Sequence, residues 1–409
     1  MTDPGAIPAH QPLTGVRVLE LSSYVATPLC GLTLAQLGAE VIRIEPPGGA
    51  ADRTRLPLAA DGTSYYWTGL NKGKHALAVD LRDPAGQQVV SDLAAGADIV
   101  VANAPYSGLV TAAALRERHP GLIHILLTGT WTGAPSVDYL AQASVGFQHV
   151  TGPQGHGVPV NHVLPAWDVI AGGYLATGVL AALRRRDLTG AGASITLALE
   201  DVALATAGNL GLLTQAQLET VGRGPDGNYV YGTYGRDFRL ADGARIMLVI
   251  LTDRHWHQLL DAAGLADAIA GLEVSLQVSF DDEQVRFRYR EVISALLEPW
   301  FAGLDVDGLT AALAGKRILW SVYRDFDEAA RHLSENPLFS ELDQPGVGRH
   351  LAPSSPLVID GTRTGANAAP VVGQHTRTIL ADALGAETYT TLLESNVIDS
   401  ADSPKRRTS

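Results

Sequence analysis

The chain of 409 residues contains one cysteine, Cys30. That excludes an intrachain disulfide framework and any cysteine-based metal site, and leaves a buried structural thiol as the expected role of Cys30. Basic residues are scarce: 30 Lys and Arg stand against 43 Asp and Glu, a net charge of −13. A broad nucleic-acid surface is thereby excluded, and an anionic ligand must find local cations within an unfavourable overall field. Long uninterrupted apolar runs are missing too. The longest, around Ala166–Leu183, is broken by Asp168 and several glycines and makes a poor membrane span. The first ten residues carry no cationic, apolar leader, so the cytoplasm is the expected compartment. No G-x-G-x-x-G follows the first strand, so no dinucleotide is expected, and no repeat at a solenoid period occurs. What remains, 46% hydrophobic and 18% charged, reads as a soluble globular protein of one large or two ordinary domains.

The first half of the chain keeps a strand–helix–strand rhythm. Val16–Leu21 alternates as a strand, Ser22-Ser23-Tyr24 is a polar break, Pro28–Leu37 reads as a helix ending at Gly38, and Val41–Glu45 is a second strand. Further strands are predicted at Ala76–Leu81, Ile99–Ala102, Leu122–Leu127 and Ser194–Leu199, and a long helix at Asp201–Gln217. That order implies an α/β fold with a parallel, doubly wound sheet. Such sheets bind ligands beyond the carboxyl ends of their strands, which marks Ser22–Val25 and Pro46–Gly49 as candidate loops. The turn Asn71-Lys72-Gly73-Lys74 is either a phosphate cradle or a solvated turn.

Composition changes at the turn cluster Gly222–Gly227. The tyrosine-rich stretch Asn228–Gly235, a hairpin through Phe238–Leu240 and Arg245–Leu251, and a helix from Arg254 then suggest a smaller α+β domain. The predicted layout is 1–224, 225–325 and 326–409. Arg286, Arg288 and Arg290 are expected on a solvated face. Terminal helices are predicted at Gly373–Leu384 and Tyr389–Val397, with loose ends at 1–12 and 400–409.

The stretch from Asn161 to Arg186 carries the sharpest functional signal. Val169–Leu183 reads as a buried helix closed by three arginines, where the macrodipole favours cations. Pro165 cannot continue that helix backwards, so Asp168 falls at or just before the first turn, where unpaired N–H groups stabilise a carboxylate. Taken alone, Asp168 is an N-cap. Gly172 and Gly173 leave the turn bare for a close backbone or ligand. Asp138, ahead of a helical stretch at Leu140–Val150, either caps that helix or points into a site.

Eight segments in order resemble the class III CoA-transferase (CaiB/BaiF) family over nearly all of residues 13–398. They are LTGVRVLELS…ATP, LAQLGAEVIRIEPPGG, NKGKHALAVDL, ADIVVANAP, LTGTWTGAP, Asp168 with GVLAAL, FRLADGARIMLVI followed by DRHW, and APVVGQHTRTIL. Two longer stretches, SVDYLAQASVGFQHVTGP…PVNHVLPAWDV and LEDVALATAGNLG…GNYVYGTYGRDF, are similar to the branch that moves CoA between the two carboxyl groups of one unsaturated C5 dicarboxylic acid.

The resemblance implies a large Rossmann-like domain formed by both chain ends, a small inserted domain, and a homodimer interlocked like links of a chain, with the site near the interface. It implies an acyl-CoA substrate, no resident cofactor, no membrane partner, and Asp168 as nucleophile. Chemistry supports that role separately. A carboxylate of ordinary pKa, about 3.9, is ionised at neutral pH and needs no general base, and a helix start is expected to keep it ionised despite burial. By the same matching Tyr24, Val25, Asn71, Lys72, Lys74, Asn103 and Asp138 belong to the CoA side, and Asn161, His162, Tyr229 and Tyr231 to the acyl side; for Asn161 and His162, loop packing is an equal alternative. Pro46 stands where many relatives place an arginine, so its phosphate contact must come from elsewhere or be lost. Val137 stands at the catalytic histidine of the racemase branch, which argues against racemase chemistry. Tyr229–Gly235 stands where formyl-CoA transferase-like members carry a mobile glycine-rich loop, and its tyrosines imply a stiffer wall.

Overall fold

Six short apolar runs pair in parallel, an arrangement that buries both faces of a sheet. The computed structural model describes residues 8–220 and 222–402. In it the six are β1 (Arg17–Leu21), β2 (Glu40–Glu45), β3 (His75–Val79), β4 (Ile99–Ala102), β5 (Ile123–Thr128) and β6 (Ser194–Ala198). They lie in the order 3-2-1-4-5-6, and a short strand at Ile398–Asp399 closes the β3 edge antiparallel. The parallel sheet and mixed α/β architecture expected from the sequence are present. Leu19, Ile42, Leu77 and Val100 pack with Val89, Val90 and Leu93 of the Pro84–Leu93 helix and Leu380 of the Thr376–Leu384 helix. Cys30 is fully buried, as expected.

The central helix runs Ala166–Thr189, with Pro165 before it and Gly190 after it in the left-handed conformation that ends helices. One face buries Trp167, Ala171, Leu175, Ala176 and Val179. A Cβ on Gly172 would lie 2.9 Å from the Ala26 carbonyl oxygen, so glycine there lets the first helix, Ala26–Gln36, come close; Gly173 faces open space. The opposite face leaves Val169, Tyr174, Leu180 and Leu188 exposed, so the expectation of a buried helix holds on one side only. Its length and mean hydropathy of 1.4 would suffice to cross a membrane, a property also of soluble core helices. The helix expected at Asp201–Gln217 is two, Leu199–Asn209 and Leu212–Leu218, divided at Gly211 with φ 79°.

The chain divides into two units. The larger comprises the residues up to Val145, His162–Gln217, and the residues from Leu333 on; the smaller comprises Gly146–Asn161 and Leu218–His332. Gly146–Asn161, read from sequence as part of the first domain, joins the smaller unit through backbone bonds such as Gly227 N–H to the Gly152 carbonyl (3.0 Å). That unit holds an antiparallel sheet, β7 (Tyr234–Arg239), β8 (Arg245–Ile250) and β9 (Leu319–Val322), packed on Trp256, Phe280, Leu297 and Phe301. Arg286 corrects an expectation: it is buried, donating to the Phe280 and Asp281 carbonyls and pairing with Asp253. Those acceptors offset the cost of burying its charge. Arg288 is exposed as expected. The expectations for residues 1–7 and 403–409 lie outside the described residues.

Candidate active site

Strand order reverses between β1 and β4, and doubly wound sheets leave a crevice at that switch point. A cavity of about 480 Å³ occupies it, entirely within the larger unit. Ser23–Ala26 line it beyond β1, Asn103 beyond β4 and Leu127–Gly129 at the carboxyl end of β5, and Arg55, Tyr66, Ser136–Tyr139, Pro165, Asp168 and Leu199 complete the wall.

Asp168 is the third residue of the central helix and does not cap it. The cap comes from Asp138, the first residue of the Asp138–Ser144 helix, which is buried. Its Oδ2 accepts the N–H groups of Trp167 (2.8 Å) and Asp168 (3.2 Å), and its Oδ1 accepts from Gln142 Nε2. The stabilised carboxylate at the helix start is therefore Asp138. Among the described residues no hydrogen-bond donor reaches the oxygens of Asp168. This corrects the expectation that the helix start keeps Asp168 fully ionised. Burial, then the neighbouring Asp138 charge, push its pKa up to about 7, against a downward pull from Arg55.

The loop after β1 rests on a buried ionic cluster. Arg43 makes a two-pronged contact with Asp52 (2.9 and 3.1 Å) and reaches Glu20, Ser22 and Asn71. Asp52 Oδ2 in turn accepts the Tyr24 N–H at 2.9 Å, holding Tyr24 at φ 65°, a conformation rare for a bulky residue. Arg55 lies over the rings of Tyr66 (4.6 Å) and Tyr24 (5.5 Å).

Of the residues proposed from sequence, the structure brings Asp168, Tyr24, Val25, Asn103 and Asp138 to one cavity. Asn103 donates its amide N–H to the Ser23 carbonyl (2.8 Å), which leaves its Oδ1 for a ligand. Asn71 and Lys74 are corrections. Lys74 Nζ is buried against Glu20, the Pro28 carbonyl and Asn71 Oδ1, and Asn71 Nδ2 donates to the Trp67 carbonyl, so both are engaged internally. Lys72 is buried in a separate narrow cleft beside Gln36 and Asn367, where burial lowers its pKa. His162 donates its backbone N–H to Gln142 Oε1 (3.1 Å), a loop-packing role. Asn161, Tyr229 and Tyr231 belong to the smaller unit. There the Tyr229 hydroxyl meets Ser294, Glu291 and Arg236, Tyr231 packs on Phe287 and Arg223, and Asn161 is exposed. Arg55 and Tyr66 were missed. Position 46, where relatives carry an arginine, is a proline, and the arginine that reaches the cavity lies nine residues later in Ala-Asp-Arg-Thr-Arg, outside the segments that carry the resemblance.

Fold and cavity define a class: a doubly wound α/β protein whose switch-point cavity includes a carboxylate, Asp168, whose oxygens accept no hydrogen bond among the described residues. The profile of CoA-transferase family III matches residues 13–376, and the chain belongs to that family. It is similar to the 2-methylfumaryl-CoA isomerase of Chloroflexus aurantiacus, 42% identical over 91% of this chain and 94% of that one. It is also similar to the succinyl-CoA:mesaconate CoA-transferase of Haloarcula marismortui, 29% identical over 94% and 99%. A solved CAIB/BAIF family protein from Brucella suis has the same fold, with a TM-score of 0.75 at 24% identity over 91% of this chain and all of that one. So does a hypothetical protein from Mycobacterium tuberculosis, with a TM-score of 0.74 at 26% identity over 90% and 99%.

Proposed function

We propose that the protein is a 2-methylfumaryl-CoA isomerase that moves CoA between the carbon-1 and carbon-4 carboxyl groups of one bound acid. The observation that carries this reading is Asp168: a carboxylate in the cavity wall, its backbone gripped by Asp138 and its oxygens free of donors. The 42% identity to a relative of that name supports the choice of acid.

In the proposed sequence an Asp168 oxygen attacks the thioester carbonyl, the C–S bond breaks, and CoA thiolate leaves with the electron pair, giving a mixed anhydride. The thiolate attacks the aspartyl carbonyl and expels the diacid as its carboxylate, leaving aspartyl-CoA. The other carboxylate of the same diacid attacks aspartyl-CoA, and the released thiolate attacks the new acyl carbonyl and frees Asp168. No step transfers a proton, so no general base is needed. Retaining the diacid makes its second attack effectively unimolecular, an advantage that can reach about 7–11 kcal/mol. The opening turns at Val25-Ala26 and Val137-Asp138 line the cavity and supply backbone N–H groups to the oxyanions. CoA enters as part of the substrate, and no resident cofactor or metal is required.

The reading extends to a Rossmann-like large domain, supported by the 3-2-1-4-5-6 strand order. It also includes a cytoplasmic homodimer without membrane or nucleic-acid partners. Trp131, Leu140, Val163, Leu164 and Tyr174 are exposed on the single chain and suit a covered interface.

Two measurements test it. Turnover of 2-methylfumaryl-CoA with labelled free 2-methylfumarate present is expected to form the second regioisomer without label. Labelled product would instead establish transfer between separate acids. Since only ionised Asp168 attacks, kcat/KM is expected to rise about tenfold per pH unit below 7 and to level above it. Asp138→Asn removes a neighbouring negative charge and is expected to shift that limb to lower pH. A wild-type profile flat from about pH 5.5 to 8 contradicts attack by this group.

A further inference from the structure

Three arginines surround the loops beyond β1 and β2, and two are fully engaged. Arg43 is buried on Asp52 and Glu20. Arg53 clasps Glu45 through Nε and Nη2 (2.7 and 2.6 Å) and stacks on Trp67 at 3.6 Å. Arg55 differs. It is exposed, it lines the cavity, and among the described residues no carboxylate lies within salt-bridge distance of it. It is also the only Lys or Arg among the described residues that line the cavity, whose wall includes Asp168 and Asp138.

We infer that Arg55 anchors the carboxylate of a dicarboxylic acyl group that is not engaged at Asp168, and so selects dicarboxylic over monocarboxylic acyl chains in this cavity. The inference rests on the acyl-CoA reading proposed above. A guanidinium presents a planar fork of donors that matches a carboxylate with two parallel bonds. Here the π faces of Tyr66 and Tyr24 support the cation, and among the described residues no side chain or carbonyl accepts from its N–H edge. That support is built from beneath. The buried Arg43–Asp52 pair holds the Tyr24 N–H, and the left-handed Tyr24 backbone sets the ring beneath the guanidinium. Local strain kept in place by a buried ion pair is a mark of a positioned functional group.

Charge also requires a cation at this point. The acyl group of a dicarboxylic thioester brings one free carboxylate into a cavity that already holds two aspartates. Without a cation it would be repelled, whereas a monocarboxylic thioester carries no such charge. Isomerisation adds a further demand. The diacid must exchange ends while CoA sits on Asp168, and it must not leave. An anchor that grips whichever carboxylate is free meets both needs. Arg55 also draws the Asp168 pKa down, placing the guanidinium within electrostatic reach of the reacting carboxylate.

The experiment compares wild type with Arg55→Ala and Arg55→Lys. For isomerisation of 2-methylfumaryl-CoA, Arg55→Ala is expected to lower kcat/KM about 100-fold, with Arg55→Lys between it and wild type, because a lysine keeps charge but loses the fork. Labelled free 2-methylfumarate is expected to enter the product of Arg55→Ala, since the diacid now escapes. Added ethylguanidinium is expected to restore at least about tenfold of the lost activity, which a structural defect would not allow. The thermal midpoint should not move, as Arg55 is exposed. A kcat/KM within threefold of wild type overturns the inference, and so does a loss with neither label entry nor guanidinium rescue. Calorimetric titration of free 2-methylfumarate and of crotonate, each with CoA present, separates this from failure of the isomerase reading. Wild type should prefer the dianion at least about tenfold and Arg55→Ala should not. If wild type does not isomerise but shows that preference, the isomerase reading fails and Arg55 stands. If the preference is absent or survives in Arg55→Ala, Arg55 falls.

Discussion

Asp168→Asn is expected to lower turnover of the acyl-CoA substrate by about 10⁴-fold or more, because it replaces the protein's nucleophilic carboxylate with a weakly nucleophilic amide. The amide keeps the shape of the carboxylate, and the Asp138 grip on the backbone N–H at position 168 is untouched. The loss should therefore fall on chemistry, with CoA thioester binding retained. Stability moves the other way. Folding raises the Asp168 pKa from its ordinary value of 3.8 to about 7, so the folded state holds that proton more tightly than the unfolded chain. Stability then falls as pH rises between those values, and the full cost of the buried charge is present above pH 7. Asn carries no such charge, so the variant is expected to melt a few degrees higher than wild type at pH 8 and without that gain near pH 4. Hydroxylamine added during wild-type turnover should leave a hydroxamate at Asp168, detectable by peptide mass spectrometry. Trapping at another side chain, or substantial activity in Asp168→Asn, would remove this residue from the mechanism.

Lys74→Ala is expected to destabilise the larger unit by about 3–5 kcal/mol while leaving the KM for the thioester of the folded fraction within about twofold. Lys74 and Glu20 are both fully buried. Nζ donates to Glu20 Oε1 (2.9 Å), the Pro28 carbonyl (2.8 Å) and Asn71 Oδ1 (3.0 Å). Burial pushes the Lys74 pKa down to about 8 despite Glu20, so the ammonium stays charged at neutral pH. Truncation leaves Glu20 Oε1 with the Ser22 hydroxyl at 2.7 Å and Arg43 at 3.3 Å, and an emptied space where the ammonium stood. Packing is tight there: a Cβ on Gly31 would sit 1.6 Å from Glu20 Oε2. The double variant Glu20→Leu with Lys74→Met should recover part of the loss, since it removes both charges and fills the volume. Denaturant unfolding checks the stability. An unchanged transition with a raised KM would restore Lys74 to the CoA contacts that its turn suggested from sequence.

Lys74 illustrates where sequence reading stops. Two lysines about a glycine before a strand are equally consistent with a phosphate cradle, a solvated turn or a buried ion pair. The partner that decides, Glu20, is 54 residues away on β1. Asp168 and Asp138 exchanged roles for the same reason. Local pattern places a carboxylate at a helix start, but the cap came from a different helix 30 residues earlier. Arg286 looked exposed within an amphipathic run, and its acceptors became visible only once the chain folded back on the Phe280–Asp281 carbonyls.

The sequence by itself determined the parallel sheet, its six parallel strands within a residue or two, the position of Asp168 beside a helix start, and the family. These depend on periodicity, on proline and glycine, and on motif order along the chain, all of which are local. Only the tertiary structure decided which charges face the cavity and which are buried against one another. It set the pKa of Asp168, sent Lys74 into the core and left Arg55 lining the cavity without an ion-pair partner among the described residues. Burial and charge pairing depend on residues distant in sequence, and the energy of a charge depends on what surrounds it.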